Sequence, residues 1–188
     1  MKIRSALISV SDKSNLNKIL SILKKFKIKL ISSGGTFKKI RSLGYDCIEI
    51  SNYTNFPEIL DGRVKTLHPK IHAGILHKRN KSSHRKILKS FEFESIDLVI
   101  VNFYPFKKTI SSTKNHKKII ENIDIGGPTL IRSAAKNYND VVVITKIDQY
   151  EELINELKTK NGKTTLKFRQ KLFNSLILHL NFLKPTKI

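Results

Sequence analysis

Residues 97–103 read Asp-Leu-Val-Ile-Val-Asn-Phe, and this stretch decides the fold class. Its apolar residues form a continuous run instead of alternating with polar ones. Continuous runs of this kind are typical of strands that are buried on both faces, as in a parallel sheet covered by helices. The stretch therefore predicts a central strand of an α/β domain.

Strand-like and helix-like segments alternate outward from this central strand. Further strands are predicted at 6–9, 30–31, 47–50 and 141–145, and helices at 16–26, 37–43 and 128–136. This alternation predicts a doubly wound, mainly parallel α/β sheet. The segment 51–78 has no clear period and is predicted to be a long loop, of the kind that usually carries function.

The pattern becomes helical after about Asp148. Helices are predicted at 150–158 and 166–183, with a turn at Asn161-Gly162 between them. We therefore divide the chain into a sheet domain at 1–147 and a C-terminal helical extension at 148–188. The apolar residues of the last helix are expected to pack partly on the core and partly on a second subunit; they are Leu172, Phe173, Leu176, Ile177, Leu180, Phe182 and Leu183.

The 188-residue chain carries a formal net charge of +21, which raises the question of nucleic-acid binding. Its lysines are spread over both halves of the chain, and solvated helix and loop faces explain them as well as a binding stripe does. We attribute the charge to composition and do not predict nucleic acid as a partner.

No apolar run approaches the roughly 18 residues that span a bilayer, and no signal peptide is recognisable, so a soluble, cytoplasmic protein is predicted. Cys47, the single cysteine, is predicted to be inert packing.

Two segments that follow predicted strands have the composition of a phosphate site. In open α/β sheets ligands bind beyond the carboxyl ends of the strands. Ser11, Asp12 and Lys13 follow the first strand, and Ser33, Gly34, Gly35 and Thr36 follow the second. Glycines allow backbone N–H groups to approach an anion at the start of a helix. The alternative is that these residues only cap helices and form turns.

Two further segments carry groups suited to charge stabilisation and proton transfer. Arg63 and Lys65 are two residues apart, so in an extended segment both cations face the same way. Asn102, Phe103 and Tyr104 follow the central strand, and the residues Asp124, Ile125, Gly126, Gly127 and Lys136 are expected nearby. Solvated surface cations and an aromatic turn on the core explain these segments equally well.

Neither a metal site nor a nucleophilic site is predicted. His68, His72 and His77 lie close together, but no acidic residue stands between them and no HExxH spacing is present. Pro69 is expected to disfavour a helix across these histidines. The nucleophile motif GxSxG is also absent from the sequence.

Several of these motifs occur in an order that resembles one known family. The strings Arg-Val-Lys-Thr-Leu-His-Pro-Lys at 63–70 and Asp-Ile-Gly-Gly-Pro-Thr at 124–129 are the most specific of them. Together with the segments 9–13, 33–36, 102–106 and 134–137, and with the stretch from Phe56-Pro57-Glu58 through Asp61 to His77, they resemble the N-terminal IMP cyclohydrolase domain of the bifunctional AICAR transformylase/IMP cyclohydrolase family. The resemblance extends from about Arg4 to Thr145 and is weaker in the terminal helices.

The resemblance implies a methylglyoxal-synthase-like fold that closes the purine ring of FAICAR to give IMP, with no metal or organic cofactor and as a homodimer. It implies that the ribose phosphate is held by Ser11, Asp12, Lys13, Ser33, Gly34, Gly35 and Thr36. The residues that it places around the base are Arg63, Lys65, Thr66, Asn102, Phe103, Tyr104, Asp124, Ile125, Gly126 and Gly127. Lys65 and Tyr104 are then expected to stabilise charge on the formyl oxygen, and Asp124 and Lys136 to transfer the carboxamide proton.

The spacing between Asp124 and Lys136 conflicts with a shared role. A helix over 128–136 spans roughly 12–13 Å and places the two residues near its opposite ends. Helical side chains lean towards the N-terminus of their helix, which closes part of this gap. We therefore predict that the Lys136 side chain points back towards Asp124.

Two features depart from the family. Tyr138 stands where the family usually has histidine. The transformylase part has no counterpart in these residues, so transformylase activity is not expected from them.

Two functions other than IMP cyclohydrolase remain open. One alternative is a phosphate-ligand protein of the same fold, such as methylglyoxal synthase, which does not explain the string at 63–69. The other is an inactive fragment that acts as a binding or interaction module.

Overall fold

The computed structural model of the protein describes residues 1–102, 115–121 and 123–180. Five parallel strands form one sheet in the order β3-β2-β1-β4-β5. The strands are β1 (Ser5–Val10), β2 (Lys29–Ser32), β3 (Ile48–Glu49), β4 (Leu98–Asn102) and β5 (Val142–Ile144). The sequence prediction of a doubly wound, parallel α/β sheet is therefore confirmed, and β4 lies next to β1 at its centre.

Nine helices are described in these ranges. Those before β4 are α1 (Leu16–Lys25), α2 (Gly34–Ser42), α3 (Ile50–Thr54), α4 (Pro69–Leu76) and α5 (Ser82–Ser90). Those after it are α6 (His116–Glu121), α7 (Gly126–Lys136), α8 (Gln149–Thr159) and α9 (Leu166–Leu180). Among the described residues no helix is both long and apolar enough to cross a bilayer.

The sheet is buried on both faces because successive side chains of a strand point in opposite directions. Ile8 and Ile100 lie in one hydrophobic cluster with residues of α1 and α8. Leu7 and Val99 lie in the other cluster, with residues of α3, α4 and α7. The continuous apolar runs of the strands follow from this two-sided packing.

The segment 51–78 differs from its prediction as a long loop. It contains the end of α3 and all of α4. Pro69 is the first residue of α4, and the His68 Nδ1 accepts a hydrogen bond from the Lys70 N–H at 3.1 Å. Proline is favoured at the first helical position because its missing N–H would have no partner there in any case. The expectation that Pro69 disfavours a helix through His72 is therefore wrong.

The C-terminal helices share the core of the sheet domain. Tyr150, Leu153 and Leu157 of α8 belong to the cluster that contains Ile8, and Leu176 of α9 belongs to the cluster that contains Leu7. Helix α9 also contacts β5. Leu172 and Leu176 are buried in this way, whereas Phe182 and Leu183 lie outside the described residues. The domain boundary at residue 147 remains a prediction.

Arg169 connects α9 to the rest of the chain. Its side chain is buried, and its Nε and Nη2 atoms donate to the carbonyl oxygens of Tyr138 and Asn139 at 3.0 and 2.7 Å. Its Nη1 donates to the Thr164 carbonyl oxygen at 2.9 Å. One guanidinium thus binds the segment before β5 and the turn before α9.

Candidate functional site

Polar segments follow the carboxyl ends of three neighbouring strands. β1, β2 and β4 are parallel, so their carboxyl ends meet at one edge of the sheet. At this edge lie residues 11–13 after β1, residues 33–36 after β2, and Asn102 at the end of β4. The structure therefore brings together three of the segments that the sequence analysis proposed.

Asn102 fixes the loop between β1 and α1. Its Oδ1 accepts hydrogen bonds from the N–H groups of Ser11 and Asp12 at 2.8 and 3.1 Å, and its Nδ2 donates to the Asp12 carbonyl oxygen at 2.8 Å. The Asp12 carboxylate accepts from the Ser14 N–H at 2.8 Å, and the hydrogen bonds from Ser14 lower the pKa of Asp12. In this structure the Asn102 side chain is used to hold backbone, and contact with a base remains a prediction.

The turn at residues 33–35 has the geometry of an anion site. Helix α2 begins at Gly34, so the predicted start at residue 37 is three residues late. The first N–H groups of a helix have no partner within it and carry partial positive charge. A Cβ atom on Gly34 would lie 3.6 Å from the Lys65 Nζ, and one on Gly35 would lie 3.9 Å from the Lys13 Nζ. Two ammonium groups therefore stand beside the two glycines, and we name residues 33–35 the glycine turn.

Thr36 joins the glycine turn to β1. Its hydroxyl donates to the Val10 carbonyl oxygen at 2.9 Å and accepts from the Val10 N–H at 3.1 Å. Because both bonds are buried, the first turn of α2 is held against the end of β1. The predicted site residue Thr36 thus has a structural role that does not depend on a ligand.

Thr36→Val is expected to lower the free energy of unfolding by about 1–3 kcal/mol, because valine removes both hydrogen bonds to the buried Val10 backbone. Thr36→Ser keeps the hydroxyl and serves as the matched control. Urea unfolding followed by circular dichroism measures the difference. Equal unfolding midpoints for the two variants would contradict this role.

Arg63 and Lys65 contact different parts of the chain. The Lys65 Nζ lies 3.3 Å from the Glu58 Oε2, and the Arg63 Nε lies 3.3 Å from the Glu121 Oε1 of α6. The Arg63 side chain is 62% exposed, whereas that of Lys65 is 33% exposed. Of the two cations predicted to act as a pair, Lys65 is the one that reaches the glycine turn.

The start of α7 lies against the segment that contains Lys65. A Cβ atom on Gly126 would lie 2.6 Å from the hydroxyl oxygen of the buried Thr66. The Asp124 Oδ1 accepts a hydrogen bond from the Gly127 N–H at 3.0 Å, and Ile125 is exposed. Only glycine allows this close approach, which brings Asp124 and Thr66 to the same edge of the sheet. Phe103 and Tyr104 lie outside the described residues.

Lys136 lies at the other end of the sheet. It is the last residue of α7, and the next residue, Asn137, donates to the carbonyl oxygens of Ile75 and His77 at 2.8 and 3.0 Å. Arg79 binds the same Ile75 carbonyl and also Asp97, which directly precedes β4. The helical rise places the Lys136 backbone about 15 Å from Gly126. The spacing conflict between Lys136 and Asp124 is therefore present in the structure, and the direction of the Lys136 side chain remains a prediction.

The histidines near Pro69 hold the helices that flank the site. The His72 Nδ1 lies 2.9 Å from the Ser133 hydroxyl of α7, and the His77 Nε2 lies 3.1 Å from the Ser95 hydroxyl. Burial is the main cause that lowers the pKa of both side chains. In the part of the chain that the structure describes, no group of three or more His, Cys, Asp or Glu residues could hold a metal ion.

Cys47, the single cysteine, is partly buried, and this burial raises the pKa of its thiol to about 12.

Glu58, the partner of Lys65, lies in the stretch 56–77 that resembles the family, but no role was predicted for it, and none was predicted for Arg169. Glu58 lies seven residues before Lys65, a separation that has no meaning in an ordinary strand or helix. Only the turn between them, described below, brings the two side chains together. For His68 a signal was available, because a polar residue directly before proline can be the residue that caps a helix.

An open parallel sheet with a glycine turn and two ammonium groups at its carboxyl edge defines an α/β domain whose candidate ligand site lies at that edge. Residues 15–129 match the family model described as MGS-like domain. The chain therefore belongs to the MGS-like domain family. Residues 134–180 match a second model, described as AICARFT/IMPCHase bienzyme. These two matches confirm the resemblance on which the sequence prediction was based.

The curated relatives are bifunctional purine biosynthesis proteins. The chain is 50% identical over 169 residues to the PurH protein of Clostridioides difficile, and the match covers 90% of this chain and 33% of that protein. It is 43% identical over 180 residues to the PurH protein of Elusimicrobium minutum, covering 95% of this chain and 35% of that protein. The chain thus spans about a third of the length of these relatives.

A solved structure has the same fold. The crystal structure of ForH superposes with a TM-score of 0.82 and 27% sequence identity, covering 94% of this chain and 92% of that one. Because the superposition covers 94% of this chain, it includes residues of the C-terminal helices as well as the sheet.

Proposed function

We propose that this chain is an IMP cyclohydrolase, which closes the second purine ring of FAICAR to give IMP and water. The observation that carries the proposal is that Lys13 and Lys65 stand beside the glycine turn, at the edge of the sheet where Asp124 also lies against the start of α7. The similarity to purine biosynthesis proteins supports a nucleotide substrate for these groups.

The proposed reaction is a cyclisation followed by dehydration. The carboxamide nitrogen attacks the formyl carbon, and the formyl oxygen then leaves as water with one proton from each of the two nitrogens. Because both reacting groups belong to one molecule, holding them in contact supplies much of the rate. The residues of the site therefore have to position the substrate, stabilise charge on the formyl oxygen and move protons.

The proposed roles follow from the chemistry of each group. The glycine turn, Thr36 and residues 11–13 hold the phosphate, while Lys65 and Tyr104 stabilise the formyl oxygen. Asp124, which lies at the same edge as Thr66, accepts the carboxamide proton. The remaining proposed contacts to the base come from Arg63, Thr66, Asn102, Phe103, Ile125, Gly126 and Gly127. Like the family it resembles, the chain is proposed to act as a cytoplasmic homodimer, without a metal or an organic cofactor.

The proposal is tested by measuring the conversion of FAICAR to IMP spectroscopically with the purified chain. Turnover well above the rate in solution is expected, and turnover no faster than in solution would overturn the enzyme assignment. Formation of methylglyoxal in place of IMP would favour the alternative activity of the same fold. Binding of nucleic acid that weakens steeply with salt, without turnover, would favour the interaction module.

The proposed role of Lys136 is tested in the same assay. We propose that it transfers a proton although its backbone lies at the far end of α7. A loss of turnover in Lys136→Ala supports this role. Unchanged turnover removes Lys136 from the site and leaves Asp124 as the proton acceptor.

A further inference from the structure

The segment 58–65 is a short hairpin that folds the chain back on itself. Ile59 and Val64 exchange backbone hydrogen bonds, with N···O distances of 3.3 and 3.4 Å. Of the four residues between them, the first three, Leu60, Asp61 and Gly62, have φ angles of 53°, 52° and 82°. The left-handed region is uncommon for residues other than glycine, so this turn has a specific conformation. It places Glu58 and Lys65, the two end residues of the hairpin, beside each other.

The Lys65 ammonium group lies between the hairpin and the glycine turn. Its Nζ lies 3.3 Å from the Glu58 Oε2, and the two side chains are 33% and 31% exposed. A Cβ atom on Gly62 would lie 2.9 Å from this Nζ and 3.2 Å from the same Glu58 oxygen. On the other side, a Cβ on Gly34 would lie 3.6 Å away. The absence of side chains at these two glycines leaves room for the ammonium group between Glu58 and the turn.

We propose that Glu58 is a positioning residue that fixes the Lys65 ammonium over the glycine turn. This inference rests on the proposed function. A lysine side chain has four flexible carbons, and a donor contributes most to a reaction when it is already in place. The bond to Glu58 uses one of the three N–H donors of Lys65. The other two are left to face the formyl oxygen of a substrate whose phosphate lies in the glycine turn.

The charge of Glu58 alone would have the opposite effect. A carboxylate beside a phosphate site repels the anionic substrate, so its removal would strengthen binding if charge were its whole contribution. Removing a positioning contact instead slows the reaction, because Lys65 then visits many conformations that do not reach the substrate. The charge explanation therefore predicts tighter binding in the absence of Glu58, whereas the positioning role predicts a lower kcat.

The test compares Glu58→Ala with Asp61→Asn, which removes an equal charge from the exposed turn of the same hairpin. Asparagine tolerates the positive φ of residue 61. With FAICAR as substrate, Glu58→Ala is expected to lower kcat about 10-fold, and Asp61→Asn to leave it unchanged. Glu58→Gln keeps an acceptor for Lys65 and is expected to recover most of the loss. Equal kcat values in Glu58→Ala and Asp61→Asn would overturn the proposal.

A double variant shows whether Glu58 acts through Lys65. In a Lys65→Met background, Glu58→Ala is expected to cause no further loss of kcat, since the group that it positions is gone. A full additional loss would show that Glu58 acts by another route and would overturn the proposal.

Binding of inorganic phosphate, measured by calorimetry, gives a readout that does not depend on turnover. Glu58→Ala is expected to bind phosphate more weakly than Asp61→Asn does, because a released Lys65 no longer keeps its positive charge beside the glycine turn that holds the phosphate. Equal or tighter binding would overturn the positioning role. If the unmodified chain shows no turnover, the proposed function fails, while the phosphate comparison still decides the role of Glu58. The two failures are therefore distinguishable.

Discussion

Lys65→Met should convert FAICAR to IMP about 10²–10³ times more slowly than the unmodified chain, which is the usual effect of removing one donor from a developing oxyanion. The Lys65 Nζ lies beside Gly34 of the glycine turn and 3.3 Å from the Glu58 Oε2, whereas the other ammonium group at the turn, that of Lys13, stands beside Gly35. Methionine keeps the length and most of the apolar surface of the side chain. The expected loss is therefore in kcat more than in stability.

The control for this variant is Lys38→Met, which removes the same charge from an exposed position on α2. It tests whether the general positive field of the chain, which attracts an anionic substrate, accounts for the effect. Turnover in Lys38→Met is expected to equal that of the unmodified chain. Equal losses in both variants would show that Lys65 contributes only to this field.

Arg169→Leu should lower the free energy of unfolding by about 3–5 kcal/mol, the largest loss of stability that we expect from a single substitution. The guanidinium donates to the carbonyl oxygens of Tyr138, Asn139 and Thr164, and leucine would leave all three without this partner. For a chain of this length, the loss corresponds to a midpoint about 10 °C lower.

Lys167→Leu is the matched control, since it replaces an exposed cation of the same helix by the same residue. Thermal unfolding followed by circular dichroism compares the two variants with the unmodified chain. Arg169→Lys should fall between them, because a single ammonium cannot reach carbonyl groups on two segments as the planar guanidinium does. A difference of about 2 °C in the unfolding midpoint corresponds to less than 1 kcal/mol of stability for a chain of this length. An Arg169→Leu midpoint within about 2 °C of that of Lys167→Leu would therefore contradict the role of Arg169.

The sheet could be predicted from the sequence because its strands are buried on both faces. The run at 98–102 is continuous and apolar, and it cannot be accommodated in a helix with one exposed side. The helices α3 and α4 could not be predicted in the same way because they are short, with five and eight residues. Too few turns are present for a clear period, and Pro69 was interpreted as a helix breaker although it begins α4.

The site could be predicted only where function follows from residues that are adjacent in the chain. The glycine turn is such a case, since its glycines and the helix start are contiguous. The contact of Glu58 with Lys65 depends on the left-handed conformation of residues 60–62, which two non-glycine residues adopt. The bonds of Asn102 to the backbone of Ser11 and Asp12 join residues that are far apart in the sequence. Pattern and propensity carry no information about such contacts.

The position of β1 in the middle of the sheet has a consequence for how the chain folds as it is synthesised. On one side β1 pairs with β2 in the early part of the chain, whereas on the other side Ala6 pairs with Leu98. The second edge of β1 therefore has no partner until the ribosome has made the residues of β4, Leu98–Asn102. Sheets with such distant pairings fold slowly. An unpaired apolar strand such as β1 is also prone to aggregate before its partner strand has been synthesised. Cellular yield of this protein should thus depend on translation and chaperones as well as on the stability of the finished fold.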